Sequence, residues 1–178
     1  MRRVVAMGVI AALLAAAAAA AWLNVLAGQP ADAAEQAVYK PPAVEIDQGV
    51  GVTHAQVAAE IGRIVNDRRA WHADFDQWTL RIVEPGIGGT QGLGGHIGMA
   101  YRDDHLALIT EDAWMTLGPR FAKVGGTLTD QRAWIVLHEL GHLLGHAHQE
   151  CPGSGPAPVM RAINYQLGGC AYNVWPNP

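Results

Sequence analysis

The chain has 178 residues, half of them hydrophobic, and a formal net charge of −4. That length suits one domain with a real core and is short for two. The apolar excess is concentrated in the first 33 residues, which excludes a polytopic membrane protein, and the mild acidity excludes a binder that relies on Lys and Arg to neutralise nucleic-acid phosphates.

Arg2 and Arg3 precede an apolar run over residues 4–23 that includes the alanine tract 15–21. A positive start followed by an apolar segment is an export signal. The run exceeds an ordinary signal core and approaches a bilayer span. Two readings stay open for residues 1–27: a signal peptide cut after a small-x-small site such as Ala31-Asp32-Ala33, or an N-terminal membrane anchor. Both place the rest of the chain outside the cytoplasm, secreted or membrane-anchored. Residues 28–43 read as a linker, and 44–178 as the folded domain.

Residues 44–52 are a short strand candidate. Thr53 to Arg69 reads as a helix that Asn66-Asp67 ends or nearly ends, with Thr53 and Gln56 as a capping box and Val57, Ile61, Ile64 and Val65 on one apolar face. Trp78, Leu80 and Ile82 alternate with polar residues in a strand pattern that Pro85-Gly86 ends. Residues 86–98 hold seven glycines without phosphate-loop spacing, so they read as a surface loop. The runs 97–101 and 106–110 predict a β-hairpin around Arg102-Asp103-Asp104-His105. Residues 111–121 contain a short helix that stops near Gly118-Pro119. Thr127 and Asp130 open the last helix, which reaches about Leu144 and ends at Gly145. Residues 149–178 are rich in Pro and Gly and read as loop. Cys151 and Cys170, the two cysteines of an exported chain, are expected to form a disulfide.

The chemistry is concentrated in residues 138–148. His138 and His142 lie four apart and aim two imidazoles at one point from one helix face. Zn²⁺ takes neutral imidazole nitrogen and keeps an open position when three protein ligands hold it. Gly145 can adopt a left-handed backbone, so the chain can turn and bring back His148 as third ligand. Glu139 would then accept a proton from a water whose pKa the metal lowers. His146 falls outside these positions and reads as a supporting or surface residue, with a fallback role as ligand. His54, His72, His96 and His105 are scattered and read as structural or surface residues. Asp103-Asp104 reads as a solvated turn, and Trp71, Trp78, Trp114 and Trp134 read as core.

The stretch His138-Glu139-x-x-His142-x-x-Gly145-x-x-His148 resembles the signature of the metzincin zinc metallopeptidases. Pro158-Val159-Met160 is similar to that clan's methionine turn. The wider chain resembles a family of exported actinobacterial domains of metzincin type, through residues 67–71 (Asp-Arg-Arg-Ala-Trp), 151–153, 156–160, Cys170 and Trp175-Pro176. The resemblance implies an α+β fold: a mixed, twisted sheet, an active-site helix and a loop-rich C-terminal subdomain. It implies Met160 beneath the metal, one Zn²⁺ per chain, and an edge strand, either 97–101 or 106–110, that pairs with an extended peptide or protein substrate. Residues of the astacin-like continuation are missing, since Gln149 follows His148 and Arg161-Ala162 follow Met160. Tyr165 is the remaining candidate for a transition-state donor. The disulfide would enclose Met160 and staple the floor of the site.

The leading expectation is an exported zinc metallopeptidase that uses Glu139 as general base and acid. The alternatives are a non-catalytic, zinc-stabilised binding module at the cell surface and a zinc amidase acting on a cell-wall amide. No nucleic-acid partner is expected, and membrane contact only through the N-terminal segment if it is uncleaved. Oligomeric state and substrate preference are not readable from the sequence.

Overall fold

A computed structural model of the chain describes residues 37–84, 97–163 and 165–178. The leader, most of the proposed linker, and the glycine-rich stretch with His96 lie outside the described residues. Val38–Pro178 forms one unit around a single core. Among the described residues, no helix is long and apolar enough to cross a membrane.

The fold is α+β. Four strands, β1 (Ala43–Ile46), β2 (Thr79–Val83), β3 (Gly98–Tyr101) and β4 (Leu106–Thr110), form one mixed sheet in the order β1-β2-β4-β3. β1 and β2 are parallel, with Val44 opposite Leu80, and β2 and β4 are parallel, with Leu80 opposite Ala107. β3 runs antiparallel to β4 as the expected hairpin, with Ala100 opposite Ala107. β3 is therefore an edge strand. β4 lies between β2 and β3, so of the two candidates for an exposed edge only 97–101 qualifies.

Helix α1 (His54–Val65) connects β1 to β2, as a parallel crossover requires. Its capping box is present: the Thr53 hydroxyl accepts from the Gln56 amide at 3.3 Å, and the Gln56 side chain accepts from the Thr53 amide at 3.1 Å. Val57, Ile61, Ile64 and Val65 are its buried stripe. The helix stops at Val65 with Asn66 as its cap, at the expected Asn66-Asp67 and short of Arg69. Asn66 ends it by donating from its side chain to the carbonyls of Gly62 and Tyr39. β1 is also shorter than predicted, because Asp47–Val50 closes a turn with Gly49 at φ 98°.

The single short helix expected in 111–121 is two, α2 (Glu111–Met115) and α3 (Pro119–Ala122). Pro119 starts the second instead of stopping the first. Its missing N–H is one that a first helical turn leaves unbonded anyway. The last helix, α4 (Leu128–Leu143), begins at the predicted Thr127–Asp130 box and packs on β3, β4, α1 and α2. Nearly every residue from Ala133 to Leu143 is buried, so α4 is the centre of the core. The described residues of 149–178 form no helix and only an isolated bridge between Pro156 and Ala171, in keeping with the expected loop, and the Cys151–Cys170 disulfide is formed.

Candidate metal centre

Helix α4 carries His138 and His142 one turn apart, and its end determines where the chain goes next. Gly145 takes φ 93°. Its amide donates to the His142 carbonyl at 2.9 Å, and the His146 amide donates to the Gly141 carbonyl at 2.9 Å. These two bonds are the Schellman closure, which glycine favours because a Cβ is strained in the left-handed region. The reversal returns His148 to the face that His138 and His142 present.

The three imidazoles converge. The Nε2 of His142 lies 3.2 Å from the Nε2 of His138 and 3.2 Å from that of His148. One ligand atom from each lies within 4.8 Å of the others. A tetrahedral ion with ligands at 2.0–2.1 Å spaces its nitrogens roughly 3.3 Å apart, which both contacts of His142 match, and His138 and His148 would close towards each other around a bound ion. The proton positions agree. His138 Nδ1 contacts the Val159 carbonyl at 2.9 Å, and His142 Nδ1 contacts the His146 carbonyl at 2.8 Å. A carbonyl only accepts, so in each ring Nδ1 carries the proton and Nε2 keeps its lone pair. Lone pairs facing each other at 3.2 Å repel, and a shared cation relieves that repulsion. His54, His72 and His105 take no part in this group, and neither does His146.

Burial favours the neutral form of His138 and His142. It pushes His138 down to about 4, against the opposing pull of the Val159 carbonyl, and it lowers His142 as well. Neutral imidazole is the form that binds a metal, so protons compete weakly for the site near neutral pH.

Glu139 is 5% exposed, and burial raises its carboxyl to about 8. Its partner surface is the backbone of β3. A Cβ added to Gly98 would sit 2.6 Å from Glu139 Oε1, so Gly98 makes room for the carboxylate. Glu139 and the three histidines line one cleft of about 430 Å³. Its far wall is Ile97–Ala100 at the sheet edge, and Trp134 and Ala162 complete it. A second, more apolar cavity of about 470 Å³ shares Ile97 with the cleft. Tyr165 lines this second cavity and not the cleft with the histidines, and its hydroxyl accepts from the Arg120 guanidinium at 2.8 Å.

Met160 is fully buried against α4. A Cβ at Gly141, one residue before His142, would overlap the Met160 sulfur. Met160 therefore sits directly under the helical turn that bears both ligands. Its carbonyl accepts from the Gln149 amide at 2.9 Å, which ties the segment after His148 to the methionine turn. Cys151–Cys170 encloses this segment.

Trp78, Trp114 and Trp134 are core residues as expected, and Trp134 also tilts against His138 at 4.7 Å between ring centroids. Trp71 is only partly buried. Several contributors were not identified from sequence: the carbonyls of Val159 and His146, the missing side chains of Gly98 and Gly141, and the indole of Trp71. Backbone carbonyls carry no sequence signal. Gly141 does, because an interior helix glycine costs about 1 kcal/mol relative to alanine and so marks a close approach.

Comparison of the chain with family models, with curated proteins and with solved structures returns no match.

Proposed function

We propose that this chain is an exported zinc-dependent peptidase with a metzincin-like site. The observation that carries the reading is the convergence of the His138, His142 and His148 nitrogens in a cleft that also holds Glu139 and runs along β3, the edge strand among the described residues. Zn²⁺ held by these three rings would supply Lewis acidity to a carbonyl oxygen and make water acidic enough to attack near neutral pH.

The chain's own residues do the rest. Glu139 removes a proton from the attacking water as the new C–O bond forms. It delivers that proton to the amide nitrogen as the C–N bond breaks, so one carboxylate serves as base and then as acid. Burial raises the Glu139 carboxyl in the metal-free fold, and a cation held by the three rings would favour its ionised, proton-accepting form. As the edge strand among the described residues, β3 would pair through its main chain with an extended peptide, and such pairing is indifferent to side-chain identity. The apolar cavity beyond Ile97 gives a substrate side chain somewhere to go, which favours a peptide over a compact cell-wall amide. The disulfide suits an oxidising compartment and an exported chain.

Metal analysis combined with cleavage of a peptide library tests the reading. Wild-type protein should carry one zinc per chain and cleave peptides. Glu139→Ala should keep its zinc and lose at least about 100-fold in rate. Metal-replete protein without zinc would remove the proposal altogether. Zinc binding without cleavage would instead favour a cell-surface binding module, and cleavage restricted to peptidoglycan fragments would favour an amidase.

A further inference from the structure

Two aromatic side chains outside the ligand set meet the site from behind. Trp71 lies in the loop between α1 and β2. Its indole N–H donates to the Leu137 carbonyl at 2.7 Å, one residue before His138. A Cβ on Gly141 would lie 3.1 Å from its Cζ2 atom, so the ring rests on the same helical turn as Met160. The other face of the story is His146. Its ring stacks on Trp71, with centroids 4.5 Å apart and planes 13° apart. The backbone carbonyl of that same His146 accepts the Nδ1 proton of His142 at 2.8 Å.

Trp71 thus touches both ends of the problem: the helix that carries two ligands and the turn that orients one of them. It is itself anchored. The Asn177 side chain donates to the Ala70 carbonyl at 2.7 Å, and the Asn177 amide donates to the Arg69 carbonyl at 3.0 Å. The Arg69 guanidinium lies 4.0 Å from the Trp175 ring centroid. The C-terminal tail therefore fixes the loop from which the indole projects.

We infer that Trp71 and His146 act as a positioning brace, in which the stacked pair holds the His146 carbonyl on His142 and so sets the orientation of a metal ligand. The inference rests on the metal-site reading above. The role assigned to His146 is mechanical: its ring supplies a flat face, and its carbonyl does the orienting. Its imidazole nitrogens are not needed. Partners that orient ligating histidines typically change metal affinity 10–100-fold when lost.

Zinc affinity, measured on the full chain by competition with a chelator of known strength, separates the possibilities. His146→Ala removes the flat face and keeps the carbonyl, and it should weaken zinc binding about 10-fold. His146→Phe restores a flat ring without nitrogens and should stay within about twofold of wild type. Trp71→Ala should weaken binding at least as much as His146→Ala, and the double variant should be no worse than Trp71→Ala, because the pair acts as one unit. The visible absorption of the Co²⁺-loaded protein should shift in His146→Ala and return in His146→Phe. Should Trp71→Ala fail to fold, the two His146 variants at an exposed position still decide the matter. His146→Phe as weak as His146→Ala would overturn the brace and make the imidazole nitrogen a ligand or polar partner. Wild-type binding left intact in every variant would overturn the brace alone, whereas no zinc binding by wild type would overturn it together with the metal site.

Discussion

His138 and His142 come from a helix that is buried nearly all round, whereas His148 comes from a segment with almost no regular structure. On α4, periodicity alone places two imidazoles on one face, and packing of Ala133–Leu143 against the sheet holds them there. After Leu144 nothing comparable operates. There the chain is held by separate ties: the Schellman closure at Gly145, the Gln149–Met160 bond, a pair of backbone bonds linking Gly155 and Ala157 to Ala171, and the Cys151–Cys170 disulfide. The difference teaches that the third ligand depends on long-range links for the position of its backbone, whereas His138 uses one, to the Val159 carbonyl, only to orient its ring. Damage to those links should therefore cost metal binding more than helix content.

Removal of the disulfide is the strongest way to break that contrast. A bridge between residues 19 apart contributes about 3 kcal/mol when it is closed. The double variant Cys151→Ser/Cys170→Ser should lose about that much stability in a denaturant melt. Its helical circular dichroism below the transition should persist while zinc affinity falls, because His148 and the Met160 turn lose their staple. Affinity equal to wild type would mean that the backbone ties alone hold the third ligand.

The same contrast explains what was legible in the sequence. The capping boxes at Thr53 and Thr127 show themselves as residue pairs three apart, and the α1 stripe as apolar positions at helical spacing, so both helix starts were found in place. The motif histidines were legible because helical spacing and one glycine determine where their side chains go. The ends of elements were less so. Asn66-Asp67 did mark the end of α1, but the turn over Asp47–Val50 cuts β1 short, and Pro119 opens a helix only because the chain has already straightened at Thr116. The supports of the site were least legible. Val159 and His146 act through carbonyls, and Trp71 lies 66 residues from the carbonyl it contacts. Nothing local distinguishes such an indole from an ordinary core tryptophan.

Titration sharpens the comparison within α4 itself, since neighbouring residues on it respond to burial in opposite senses. His138 falls from 6.5 to about 4 on folding, so the metal-free fold gains stability as pH rises towards 6.5; lowered His142 contributes in the same direction. Glu139 rises from 4.5 to about 8, so the fold holds a proton that the unfolded chain releases, and stability is lost as pH rises from 4.5 to 8. Below pH 6.5 the two effects oppose each other. Between pH 6.5 and 8 only Glu139 acts, and metal-free protein should lose about 2 kcal/mol across that interval. Thermal melts of chelator-treated wild type and Glu139→Gln check this. The variant should show no decline above pH 6.5, and a decline of equal size in both would place its origin in another group.

The smallest effect, a coupling between two substitutions, tests a point at which the helix and the loop segment touch beneath the ligands. Gly141 lacks a side chain where Met160 fills the space, so Gly141→Ala must push the methionine aside. Overpacking of this kind costs about 1–3 kcal/mol, and the better helix propensity of alanine returns about 1 kcal/mol, leaving a net loss near 1 kcal/mol. Met160→Ala alone leaves a cavity and should cost about 2–5 kcal/mol. Combined, the new Cβ occupies part of the vacated space, so the double variant should be more stable than the sum of the two losses by about 1 kcal/mol. Strict additivity would show that Gly141 and Met160 do not share that space, and would leave the helix and the methionine turn to be held independently of each other.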